Sequence, residues 1–135
     1  MMTRRTLIES AAALLLANAA AAQPATSRNR QVFQHDLPKV SLDNWVVTAI
    51  EVVYGPGEST AAHSHPGITV AYVLEGEIRS KVGDAPEQTF KPGQMFIEYP
   101  GEVHAVSGNA SDSKPAKLLA ILMAEKGKPL TSMVK

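Results

Sequence analysis

The chain has 135 residues, with 13 basic and 13 acidic side chains, four His and no Cys. One domain is the natural count at that length, and a net charge of zero offers no basic excess for a nucleic-acid partner. The lack of Cys excludes disulfides, thiolate metal sites, iron–sulfur clusters and Cys nucleophiles together.

Residues 1–22 have the pattern of an export signal. Arg4 and Arg5 form a charged start, residues 11–17 (AAALLLA) form the apolar centre, and Ala20-Ala21-Ala22 offers an A-x-A cleavage site before Gln23. A spanning helix takes roughly 20 apolar residues. This run is shorter and rich in Ala, so no stable membrane span is expected after the signal is removed. The expected location is periplasmic or secreted. Arg4-Arg5 followed by Thr6, Leu7 and Ile8 also resembles the twin-arginine pattern, with Glu9 at its last basic position. Twin-arginine and general secretory routes both stay open. Taking Arg4, Arg5 and Glu9 out of the balance leaves 11 basic and 12 acidic groups, so the remaining domain is slightly acidic.

Residues 23–40 are expected to form a linker and N-terminal arm, residues 41–125 a β-barrel, and residues 126–135 a tail along the outside. Residues 45–54 (WVVTAIEVVY) are dominated by β-branched and aromatic side chains, which predicts a strand with both faces largely covered. Gly55-Pro56-Gly57 turns the chain, and residues 59–65 form a short strand. Residues 68–74 (ITVAYVL) are an apolar strand ended by Glu75-Gly76. Residues 77–82 (EIRSKV) alternate: Glu77, Arg79 and Lys81 share one face, while Ile78, Ser80 and Val82 share the other. That is a strand with one wet face. Further strands are predicted over 94–99, 103–107 and 117–123 (KLLAILM), separated by Gly/Pro turns and a polar loop over 108–115. About eight short strands without a helical period imply an all-β sandwich or barrel.

Three of the four His fall at informative places. His63 and His65 lie two apart on a predicted strand, so they share a face. His104 follows the Pro100-Gly101 turn on a strand that a small barrel can bring alongside. Three neutral imidazoles converging at about 2.0–2.2 Å would make an open site for a divalent first-row metal. An isolated H-x-H pair is also common as plain polar surface. His35 stands apart from this group and is expected at the surface. Trp45, Phe96 and Met123 are expected in the core, and Tyr72, of opposite parity to Thr69, faces away from the His.

The surrounding residues carry a family resemblance. Gly57, His63, His65 and Gly76 match the first motif of the cupin superfamily, and residues 93–104 (GQMFIEYPGEVH) match the second. His65-Pro66-Gly67 followed by residues 72–77 (YVLEGE) resembles small single-domain cupins of the conserved-barrel type. The resemblance spans residues 46–123. It implies a double-stranded β-helix, or jelly roll, of roughly six to eight strands with a metal inside one end. It also implies a homodimer. The first motif carries a metal-ligating Glu where this chain has Thr69. Tyr99 and Gly108 depart from the second motif at positions that supply no ligand.

Without that Glu the ligand set is His63, His65 and His104. Thiol and gentisate dioxygenases of the superfamily have three-His iron sites. Glu51 and Glu98 are the candidates for a replacement ligand or general base, while Glu75 fits a solvated turn. The expected cofactor is a divalent transition metal: Fe, Mn, Ni, Zn or Cu. The leading expectation is an exported metal-binding cupin; catalysis stays open, and an enzymatic version would be a dioxygenase, lyase or isomerase on a small oxygenated substrate. The alternative is a non-catalytic module for a small ligand or metal, and a third is a barrel whose His are vestigial. No nucleic-acid partner is expected.

Overall fold

The computed structural model describes residues 28–135. The export-signal segment, residues 1–22, lies outside the described residues. Ten strands follow one another: β1 (Trp45–Tyr54), β2 (Ser59–Thr60), β3 (His63–Ser64), β4 (Ile68–Glu75), β5 (Ile78–Val82), β6 (Gln88–Phe90), β7 (Met95–Glu98), β8 (Val103–Asn109), β9 (Ala116–Glu125) and β10 (Ser132–Met133). No helix occurs among the described residues.

The strands form two antiparallel sheets. One has the order β1-β9-β4-β7, and the other β10-β3-β8-β5-β6 with β2 also paired to β8. Neighbours that are distant in sequence are the mark of a double-stranded β-helix, and the expected all-β, single-domain fold is what the chain adopts. Tyr54, Ala71, Val73, Ile78, Phe96, Ala116 and Leu118 pack as the core between the sheets. Val73 and Ile78 are fully buried, and each such aliphatic side chain contributes about 1.5–3 kcal/mol relative to leaving it in water.

The clean alternation of residues 77–82 appears as expected: Ile78 and Ser80 are buried, and Arg79 is exposed on the wet face. The expectation for residues 45–54 is corrected. β1 is an edge strand with β9 as its neighbour, and Val47 and Val53 on its outer face are 68% and 59% exposed. A β-branched run reports a preference for extended backbone and does not say how many layers cover it. β6 had no sequence signal, because Gln88-Thr89-Phe90 is short and mostly polar. The tail also differs from a simple outer strap: Ser132 and Met133 pair with Ser64 and His63, adding β10 to the second sheet.

Gly67 sets the entry to β4. A Cβ there would overlap the Met123 carbonyl oxygen and come 2.8 Å from Ala124 Cα. Only Gly lets the His65-Pro66-Gly67 turn lie against the end of β9.

Candidate metal centre

His63 and His104 are cross-strand partners on β3 and β8. In the facing sheet, Thr69 and Glu98 are cross-strand partners on β4 and β7. Side chains of directly opposed residues stand next to each other on one face. Two such pairs, one per sheet, therefore meet across the interior. His63, His65, Thr69, Glu98 and His104 are all buried. They line one end of a cavity of about 230 Å³ between the sheets.

His63, Glu98 and His104 each offer one ligand atom, and these atoms lie within 4.8 Å of one another. His65 stands beside them, with Nε2 3.5 Å from Glu98 Oε2. The hydrogen bonds decide which nitrogens face inward. His63 Nδ1–H donates to the Ala61 carbonyl at 2.8 Å, and His65 Nδ1–H donates to the Leu130 carbonyl at 2.7 Å. Each ring is thereby held as the tautomer whose Nε2 lone pair is available as a ligand. His104 Nε2 lies 2.8 Å from Ser80 Oγ, leaving Nδ1 pointed at Glu98 Oε2 at 3.2 Å.

That last separation is short, yet it lacks hydrogen-bond geometry. Thr69 Oγ1, Glu98 Oε2 and His104 Nδ1 are buried side-chain atoms with no hydrogen-bond partner among the described residues. Buried polar atoms are nearly always satisfied. Three that line the same cavity and belong to one cluster call for a shared partner. A carboxylate oxygen and imidazole lone pairs brought this close repel one another unless a cation lies among them. The donor set of imidazole nitrogens and one carboxylate suits a divalent first-row metal, so these residues fit the metal that the motifs imply. Burial holds the His63 pKa below the usual 6.5, with the neighbouring His104 and His65 adding to the effect. His63 is therefore available as a neutral ligand to lower pH than an exposed His.

The sequence-predicted residues separate in the structure. His63 and His104 sit at the centre, with His65 next to Glu98. Glu51 lies outside the cavity, exposed on the outer face of β1 and paired with Lys117 at 3.1 Å. Its parity explains this, since Ile50, Val52 and Tyr54 take the inward positions. His35 is exposed and bonded to the Tyr99 hydroxyl.

Other cavity and supporting residues had weaker signals. Ser80, behind His104, is the polar member of the dry face of residues 77–82, and a polar residue on such a face is the available clue. The cluster of Tyr54, Thr60 and Ser107 hydroxyls had none. Tyr54 Oη lies 2.8 Å from Thr60 Oγ1 and 2.9 Å from Ser107 Oγ.

The Cupin domain family model matches residues 50–122, more than half the chain and including all four cluster residues. The chain belongs to the cupin family. No curated protein matches this cupin. Among solved structures it is similar to a DMSP lyase from Ruegeria pomeroyi, at 19% identity and a TM-score of 0.56, over 65% of this chain and 43% of that one. A conserved protein with a double-stranded β-helix domain from Klebsiella pneumoniae aligns at 22% identity and a TM-score of 0.53, over 82% of this chain and 99% of that one. An oxalate decarboxylase from Lactobacillus farciminis aligns at 18% identity and a TM-score of 0.55, over 65% and 26% of the two chains. These likenesses concern the fold. The cupin spans less than half the length of the lyase and about a quarter of the decarboxylase.

Proposed function

We propose that this cupin binds a divalent transition metal through His63, His65, Glu98 and His104 and uses it to act on a small molecule held in the adjoining cavity. The observation that carries this is the pair of buried, partnerless ligand atoms, Glu98 Oε2 and His104 Nδ1, that face each other across the cavity from the two sheets. Glu98 takes over from the carboxylate absent at Thr69: it lies directly across the strand pair, so its charge enters the same space from the neighbouring strand. When bound, the metal supplies Lewis-acid polarisation of an oxygen, or oxygen activation if it is iron. The chain's own residues hold the imidazoles in their ligating tautomers and line the adjoining cavity with a largely apolar wall. Lyase and decarboxylase activities among the similar structures agree with metal-assisted chemistry on a small oxygenated substrate.

Elemental analysis of protein purified from its native compartment tests the metal. The expected result is near-stoichiometric transition metal that is lost in His104→Ala. Less than about a tenth of an equivalent, unchanged by His104→Ala, sinks the proposal. Oxygen uptake by the iron-loaded protein across catechol, thiol and diketone substrates then tests a dioxygenase. Silence there favours a non-catalytic binding module. That second reading draws on one observation: outside the cluster, no Asp, Glu, Lys or Arg among the described residues lines the cavity.

We also infer export, from the charge and apolar pattern of residues 1–22. The mass of the protein recovered outside the cytoplasm would then correspond to cleavage before Gln23. A homodimer is the expected assembly. β1 is a ten-residue edge strand bearing exposed Val46, Val47, Ile50 and Val53, and an edge of this kind invites a second chain. A monomeric mass in solution removes the dimer.

A further inference from the structure

The walls of the cavity define what kind of molecule it takes. One end is the ligand cluster. Besides the hydroxyls of Thr69 and Thr131, the wall carries a bonded group of three, from Tyr54, Thr60 and Ser107. Much of the remainder is apolar, including Ile50, Val52, Ala71, Phe96, Leu118 and Leu122. At about 230 Å³, the space lies below the roughly 300–1,000 Å³ that holds drug-sized ligands.

Charge is the first discriminator. A divalent ion together with the Glu98 carboxylate leaves one net positive charge in the cavity, because metal-bound imidazoles are neutral. No Lys or Arg among the described residues lines the cavity to offset a further negative charge. A monoanion neutralises the site. A dianion leaves a buried charge without a counter-ion, and that is costly in a low-dielectric interior.

The hydroxyls are the second discriminator. Each hydroxyl has one hydrogen to donate. The two bonds that Tyr54 Oη makes with Thr60 Oγ1 and Ser107 Oγ use two of the three hydrogens. The third is available to an acceptor on a ligand. Tyr54 and Ser107 are buried, at 6% and 4% exposure, while Thr60 lies at the exposed side. The cluster therefore runs from the cavity interior to its rim.

The geometry points to a small monoanionic ligand whose charged head meets the His–Glu cluster and whose second, uncharged oxygen accepts a hydrogen bond from the Tyr54–Thr60–Ser107 hydroxyls. This assignment rests on the metal reading above and narrows its substrate class. Dicarboxylates and simple fatty acids are the disfavoured classes, the first through charge and the second through the lack of an acceptor.

The test uses the full chain loaded with cobalt(II), titrated at neutral pH with monomethyl succinate, succinate and hexanoate. Binding is followed by calorimetry and by the visible absorption of the bound cobalt. Monomethyl succinate should bind about tenfold more tightly than succinate and about fivefold more tightly than hexanoate. Tyr54→Phe and Ser107→Ala each break the linked hydroxyls that orient the spare hydrogen, so each should erode the advantage over hexanoate and leave the preference over succinate intact. Ser107→Ala carries the result if Tyr54→Phe fails to fold. Equal or tighter binding of succinate overturns the monoanion assignment. An advantage over hexanoate that is absent, or that survives both substitutions, overturns the role of the hydroxyls. Failure of cobalt to bind at all overturns the metal reading and this inference together, whereas tight cobalt with an indifferent ligand panel overturns this inference alone.

Discussion

Glu98→Gln separates stability from metal binding because it should move them in opposite directions. The Glu98 side chain is 4% exposed, and Oε2 faces His104 Nδ1 at 3.2 Å and His65 Nε2 at 3.5 Å without a hydrogen bond. A buried carboxylate in that setting is under-solvated, and a charge left without compensation costs several kcal/mol. An amide of nearly the same shape carries no charge, and its N–H groups can donate to the imidazole nitrogens. Apo Glu98→Gln should therefore be more stable than the apo parent by about 1–3 kcal/mol. At this domain size that raises Tm by roughly 4 °C or more per kcal/mol. The metal response reverses. Metal at about 100 times Kd stabilises a binding protein by about 2.7 kcal/mol, which is roughly 10 °C here. Replacing an anionic ligand by an amide should weaken affinity by more than about a hundredfold, since even residues that only orient ligands are worth 10–100-fold. The rise in Tm on adding metal should then nearly vanish. The assay is calorimetric or fluorimetric melting of chelator-treated protein with and without zinc, manganese or cobalt. If apo Glu98→Gln is less stable than the parent by about 1 kcal/mol or more and keeps its full metal-induced shift, Glu98 is a structural hydrogen-bonding residue and not a ligand.

Three further outcomes follow from particular residues. The unfolded chain takes up a proton at His63 near the usual 6.5, whereas burial lowers that pKa in the folded state. The unfolded state thus binds more protons between the two values, and the His63 contribution to stability, present above pH 6.5, is lost as pH falls towards the lowered folded value. Denaturant melts of metal-free protein on both sides of pH 6.5 check this; a pH slope as steep in His63→Gln as in the parent would refute it. Deleting residues 130–135 removes the Leu130 carbonyl that orients His65 and the pairing of β10 with β3. Metal affinity by competition with a chromogenic chelator should drop about tenfold or more, with the far-ultraviolet β spectrum retained. Gly67→Ala drives a methyl group into the Met123 carbonyl and should cost about 3 kcal/mol or more, read as a lowered denaturation midpoint.

The sequence was most informative where a residue's role depends on its own strand. His63 and His104 announce themselves through H-x-H spacing and the second motif, and the inward parity of Ile78 and Ser80 follows from simple alternation. What it left open depends on which strands are neighbours. From sequence Thr69 reads as a lost ligand, because the registration of β4 against β7 is not written in either segment. Thr69 stands directly opposite Glu98, so a carboxylate faces the same space from the neighbouring strand. Glu51 and Glu98 are equal candidates by their places in predicted strands; one faces Lys117 on the outside and the other faces imidazoles on the inside. The exposure of Val47 and Val53 was hidden for the same reason, since edge position belongs to the sheet. The tether between Leu130 and His65 joins residues 65 positions apart and leaves no local trace.

The two cross-strand pairs also have a mechanical meaning. His63 and His104 belong to one sheet, while Thr69 and Glu98 belong to the other. An ion shared by Glu98 and the imidazoles would bolt one sheet to the other at the end of the barrel where the packed aliphatic core gives way to a hollow. Sheet separation, which the core resists elsewhere, would there be resisted by ligand bonds. Metal loading should therefore slow amide exchange in β7 and β8 in concert, and leave the outer edge of β1 breathing as before.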